Sequence, residues 1–247
     1  MSRWKAAAIH LSISFLIGLL VLALLFLVWY PQPYFDAAGG QHLIIVLLGV
    51  DLVLGPLLTL ILFKSGKKGM LFDLWMIGIF QTSALVYGLV VIAEARPVFI
   101  VAAVDRFDLV SAADIDPLDL AEGKEPRFRT LSWTGPRLIG AQLPPRGKER
   151  TELMFHGPGG KDVQHFPKYY VDYESAAQGL VKHAKPVAAL RKAHPDAGPV
   201  LDQWLSESGR TESDVVWVPI VARKSSLTML LEARTGAVLA ALPIYPW

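Results

Sequence analysis

Cysteine is absent from this chain of 247 residues. Disulfides, thiolate metal sites and a cysteine nucleophile are thereby excluded. Lack of cysteine does not fix the compartment, though it suits an oxidising periplasm. A surplus of one charge sign is also missing. The 24 lysines and arginines stand against 22 acids. From Glu94 onward the two balance at 19 each, with no basic cluster. That balance speaks against nucleic acid as a partner. Catalytic signatures are absent too: no G-x-S-x-G, no H-E-x-x-H and no close acid pair in a recognisable setting. The GPGG at 157–160 is no phosphate loop, because its lysine comes too early and no Ser or Thr follows. No enzyme activity and no cofactor is expected. Internal repeats and low-complexity segments are lacking as well.

What the chain has in excess is apolar residues, at 53%, against roughly 45–50% for a soluble domain. The excess lies in the first third. Three runs, at 9–30, 43–63 and 71–93, reach the ~20 residues that a bilayer requires. The first exceeds a signal-peptide core of ~7–15 residues and ends in WYPQPYF, without a small-residue cleavage pattern. It reads as an uncleaved anchor. Basic residues set the orientation. Arg3 and Lys5 precede the first run, and Lys64, Lys67 and Lys68 fill the loop between the second and third. The loop PQPYFDAAGGQ has none. All five fall on one side, which is therefore the cytoplasm. Trp4 and Trp75 lie near inner ends, and Trp29, Tyr30 and Tyr34 near an outer end, as interfacial aromatics do. The expected protein is a three-helix transmembrane region, 1–93, followed by a domain at 94–247 outside the cytoplasm.

No linker separates the two parts. Pro97 ends the third helix, and the β-branched, aromatic run after it reads as a strand. A helix is expected around PLDLAEG. RFRTLSW and RLIGAQLP read as strands or extended segments, FPKYYVDY as extended and TELMFH as a short helix. GPGGKD reads as a turn. Helices are expected at 173–185, 187–194 and 199–208, with Gly209 as the stop. VVWVPIVAR, LTMLLEA and AVLAALPI form three strands, the last two joined at Thr235-Gly236. The outer domain is therefore an α+β fold with a C-terminal antiparallel meander.

One residue stands against the apolar background of LIIVLLGVDLVLGPLLTLILF. A carboxylate at the bilayer centre costs at least ~2.5–3.5 kcal/mol, so Asp51 must be protonated, paired or turned toward a polar interior. At 1.5 Å per residue, Asp51 lies about 18 Å and Gln81 about 15 Å from the inner ends of their helices. A bond from Gln81 or Thr82 would offset part of the cost. Three readings are open: Asp51, Gln81 and Thr82 fasten the bundle, or they meet a polar group on a client helix, or they line an ion path. The last is the weakest, since one acid without a relay makes a poor transporter. Gly55-Pro56 predicts a kink just beyond Asp51. Asp73 is expected to face the lysines of the loop before it. His156 and His165 flank GPGGKDVQ, with nothing to complete a metal site. Phe166, Tyr169, Tyr170 and Tyr173 belong to the core or to a partner surface. The apolar end PIYPW is expected to be tucked in.

GVDLVLGPLLTLILF followed by KSGKK, then FDLWMIGIFQTSALVYG and EARPVFIVAAVDRFDLV, resembles the TfpX/TfpZ type IV pilin accessory family. The likeness extends to FPKYY, VPIVARKSSLTMLLEARTGAV and the final PW. It is weakest between Ser111 and Gln164. It implies an inner-membrane protein of a Gram-negative bacterium that supports pilus production from a particular major pilin, with other pilus assembly proteins as further partners. It carries no catalytic residue to transfer. A client-specific chaperone or assembly factor is the function expected. A membrane-anchored ligand sensor is the alternative, weakened by a cytoplasmic side of short tails and one loop.

Overall fold

The computed structural model describes residues 1–156 and 161–247. Helix α1 (Arg3–Leu24) starts at Ser2, whose side chain accepts the Lys5 N–H at 3.2 Å. It closes in a wide turn, Leu25–Trp29. After the short α2 (Tyr34–Ala37), one helix runs over 40–62 as α3 (Gly40–Gly49), a wide turn (Val50–Leu54) and α4 (Gly55–Leu62). Lys67 Nζ meets Asp73 Oδ2 at 2.5 Å at the start of α5 (Met70–Ala95), as expected of the loop lysines. Arg3–Trp29 and Met70–Ala95 are long and apolar enough to cross a membrane, while Leu47–Leu62 is a shorter apolar helix. Two of the three expected spans are thus matched by helices of full length, and the third is not confirmed by its shorter apolar helix. Leu27, Leu20 and Phe80 are 82%, 72% and 68% exposed. Apolar helix surfaces left that bare suit lipid as solvent.

Strand β1 (Pro97–Ala103) follows α5 after a single residue, Arg96. Further strands are β2 (Arg106–Ser111), β3 (Arg137–Ala141), β4 (Tyr170–Val171), β5 (Lys185–Pro186), β6 (Val215–Val221), β7 (Leu227–Glu232) and β8 (Val238–Leu242). They form one mixed, curled sheet in the order β4-β3-β1-β2-β6-β7-β8, with β5 paired to β6. β3 lies parallel to β1 and β6 parallel to β2, and the other pairs are antiparallel. The expected meander is β6-β7-β8, with Gly236 at φ 75 in its last turn. Around the sheet lie α6 (Pro117–Ala121), α7 (Lys148–His156), α8 (Tyr173–Val181), α9 (Val187–Ala193) and α10 (Gly198–Ser208), the last stopped by Gly209 at φ 64.

Two expectations need correction. RFRTLSW holds no strand. It is a 3-10 turn, Pro126–Phe128, and a loop, because Arg129 and Arg137 draw the carbonyls of Gly123, Arg127 and Thr130 to their guanidinium groups. FPKYYVDY is not extended throughout: Pro167 opens a 3-10 turn, Pro167–Tyr169, and only Tyr170–Val171 joins the sheet. The GPGG turn at 157–160 lies outside the described residues. The C-terminal segment is half tucked, with Ile244 buried and Tyr245 and Trp247 each 57% exposed.

The helices and the sheet share a core. Val21, Leu25, Tyr30, Phe35 and Ile92 belong to the same buried cluster as Phe107, Tyr173, Ile220 and Leu231. Tyr30 donates its hydroxyl to the Ile92 carbonyl at 3.0 Å, and the Ala37 carbonyl accepts the Lys224 N–H at 2.9 Å. The loop between α1 and α3 therefore seats the outer domain on the helices.

Candidate functional site

Asp51 sits inside the wide turn of the 40–62 helix and is 6% exposed. In such a turn the bonds run from residue i to i+5, so the Asp51 carbonyl would fall to the N–H of residue 56. Residue 56 is proline and has none. The amide of Gln81 on α5 supplies the missing donor, with Nε2 at 3.2 Å from the Asp51 carbonyl oxygen. Gly55 makes room for it: a Cβ there would lie 2.2 Å from Gln81 Nε2. The same Nε2 approaches Ser14 Oγ of α1 at 3.5 Å. Toward the inner end, His10 Nδ1 and Thr59 Oγ1 are 2.6 Å apart. One polar seam thus ties all three helices together.

The Asp51 side chain stands between two cavities. One, of about 180 Å³, is lined by His10, Ser14, Gln81 and Thr82. The other, of about 310 Å³, is apolar apart from Asp51 and the Tyr87 hydroxyl and is bounded by Leu47, Ala84, Tyr87, Gly88 and Ile92. Tyr87 at its rim is 73% exposed. The depth estimate from sequence places Asp51 level with Gln81, and the structure joins them, through the main chain of Asp51. Thr82 is brought to the cavity wall. Sequence reasoning missed Ser14 and the His10–Thr59 pair, although a polar residue inside an apolar run is itself the signal.

The role of Gln81 can be tested by a double-mutant cycle. Gln81→Leu orphans a buried carbonyl, and intramembrane bonds of this kind contribute ~0.6–2 kcal/mol. Pro56→Ala restores an N–H to the helix itself. The cost of Gln81→Leu in thermal unfolding in detergent is expected to shrink in the Pro56→Ala background.

In the outer domain, the four candidate partner aromatics are all buried: Phe166 at 9%, Tyr169 at 8%, Tyr170 at 1% and Tyr173 at 7% exposure. Of the two expected places, core or partner surface, this burial fits the core. Tyr170 packs edge-on to Phe99 and Phe128, and Tyr173 stacks on Phe107 at 5.8 Å. Their hydroxyls donate to the carbonyls of Gln164 and Gly236. Burial raises both phenols well above the ordinary value. Burial, then the neighbouring Glu149, pushes Tyr169 up to about 12. Burial also lifts Asp108 to about 6 against the opposing pull of Arg106, 3.2 Å away. His165 is lowered by burial. Pairing of His165 with the His156 side chain lies outside the described residues. Among the described residues, no group of three or more His, Asp or Glu could hold a metal ion.

A family model described as fimbrial assembly protein FimB matches residues 1–39. The chain is 30% identical over 243 residues to the fimbrial assembly protein of serogroup E1 of Dichelobacter nodosus, covering 97% of this chain and 94% of that protein. Its serogroup I counterpart matches to the same extent. The protein of serogroups C1 and C2 is 38% identical over 113 residues, which is 45% of this chain and 86% of that one. No solved structure matches.

Proposed function

We propose, since this chain belongs to the fimbrial assembly protein family, that it serves pilus biogenesis as a membrane-bound assembly factor for a pilus subunit. The full-length relatives named for fimbrial assembly support the role in general. The finer reading is that of a TfpX/TfpZ-type accessory protein dedicated to one major type IV pilin. In this reading α1, the 40–62 helix and α5 cross the inner membrane, the N-terminus is cytoplasmic and the domain from Glu94 is periplasmic. The placement of Arg3, Lys5, Lys64, Lys67 and Lys68 supports that orientation.

A pilin waiting in the bilayer is an apolar helix carrying a globular head. The observation that carries the reading is the buried Asp51 in the lining of a largely apolar cavity that it shares with the exposed Tyr87. An apolar helix bearing one polar group fits such a wall, because a polar pair is favoured where the alternative is hydrocarbon. The docked outer domain would hold the head above the same spot. Deletion of the gene tests the function. Surface pili should be lost and should return on complementation, whereas normal piliation in the deletion strain would reject the proposal.

A further inference from the structure

Trp133 lies far along the chain from the helices, yet it is placed at their outer ends. Its ring is 6.0 Å from Trp29, the last residue of the first apolar helix. Two residues on, Gly135 has φ +93, and a Cβ there would lie 3.4 Å from Pro31 Cγ and 3.7 Å from the Val28 carbonyl. The loop backbone thus rests on the top of the first helix. Arg96 ties it to α5 as well. The Arg96 Nε donates to the Ser132 carbonyl at 2.9 Å, and Nη1 donates to Ala93 in the last turn of α5. The same guanidinium stacks 3.8 Å over the Trp133 ring. Arg96 is buried by these contacts, whereas Trp133 remains 58% exposed.

An indole held open at the ends of two apolar helices matches the environment that tryptophan favours, with its apolar body in lipid and its N–H in the wet headgroup layer. The neighbouring charge is complementary to lipid phosphate. Arg137 opens β3 in register with Phe99, four residues past the end of α5; its Nη1 and Nη2 donate to the Arg127 and Thr130 carbonyls, which hold its charge beside the loop. We propose that the loop at 131–136, through Trp133, sits in the phospholipid headgroup layer and fixes the height of the outer domain over the bilayer. Leu27, two residues before Trp29 in the first apolar helix, is 82% exposed, and a bare apolar helix end beside the indole favours lipid over a protein partner as its occupant. This inference rests on the reading that α1 and α5 cross the membrane.

The absence of cysteine makes the test direct. Spin labels are placed singly at Thr134→Cys, Phe80→Cys and Glu207→Cys in the full chain, reconstituted into nanodiscs of phosphatidylethanolamine and phosphatidylglycerol. Accessibility to oxygen and to a water-soluble nickel chelate is then read. The label at 134 is expected to show nickel accessibility several-fold below that at 207, with oxygen accessibility between those at 80 and 207. Adding Trp133→Ser should move it toward the value at 207. If the label at 134 matches 207 while 80 stays lipid-protected, the inference is overturned and the spans stand. It is likewise overturned if 134 is shielded from both reagents, as a protein cover would do. If 80 itself matches 207, the membrane reading fails and takes the inference with it.

Discussion

Asp51→Leu is expected to leave the chain inserted, folded and abundant while abolishing surface pili in a complemented deletion strain. The substitution removes a carboxyl whose place in lipid costs ~2.5–3.5 kcal/mol, so insertion becomes easier. It spares the bond that Gln81 makes to the main-chain carbonyl of residue 51. Pro56 and the wide turn are untouched as well. What disappears is the one carboxyl facing the apolar cavity. If Asp51 only fastened the bundle, its loss would lower abundance or melting temperature, and piliation would fall no further than abundance does. Immunoblots of the membrane fraction, thermal unfolding in detergent and electron microscopy of cells separate the two outcomes.

Phe107→Ala is expected to destabilise the outer domain by about 3–5 kcal/mol, the cost of emptying a buried phenylalanine site. Phe107 is 0% exposed and stacks on Tyr173 of α8. Its cluster reaches from Leu25 in the first helix to Leu231 in β7. A domain typically holds only ~5–15 kcal/mol in reserve, so the domain should become sensitive to protease. Insertion of α1 and α5 should persist, since their lipid-facing surfaces do not depend on it. Limited proteolysis of membranes with the variant checks this. A domain as resistant as wild type would show that the shared core contributes little.

The helices were legible because long apolar runs have few other fates, and β6-β7-β8 because short β-branched runs alternate with turn residues. The β1–β2 hairpin was not. Its turn places Val104 at φ 56, a conformation that no turn rule assigns to a β-branched residue. The parallel pairing of β3 with β1 joins segments far apart in sequence, which periodicity cannot reveal. In the candidate site, the level of Asp51 and Gln81 followed from counting residues along two helices. The wide turn did not, since Gly55-Pro56 signals a kink without its register. The four aromatics of 166–173 were ambiguous for a similar reason. Their burial depends on remote partners, such as the Gly236 carbonyl that accepts the Tyr173 hydroxyl.

In the proposed function, the wall containing Asp51 receives a helix of a pilus subunit. A photo-reactive amino acid at position 87, on the exposed rim of that cavity, tests it in living cells. An adduct with a pilus subunit, lost when Asp51 is replaced by leucine, is the result expected. Adducts without any pilus subunit, or a pilin adduct equally strong in the Asp51→Leu background, would contradict the claim.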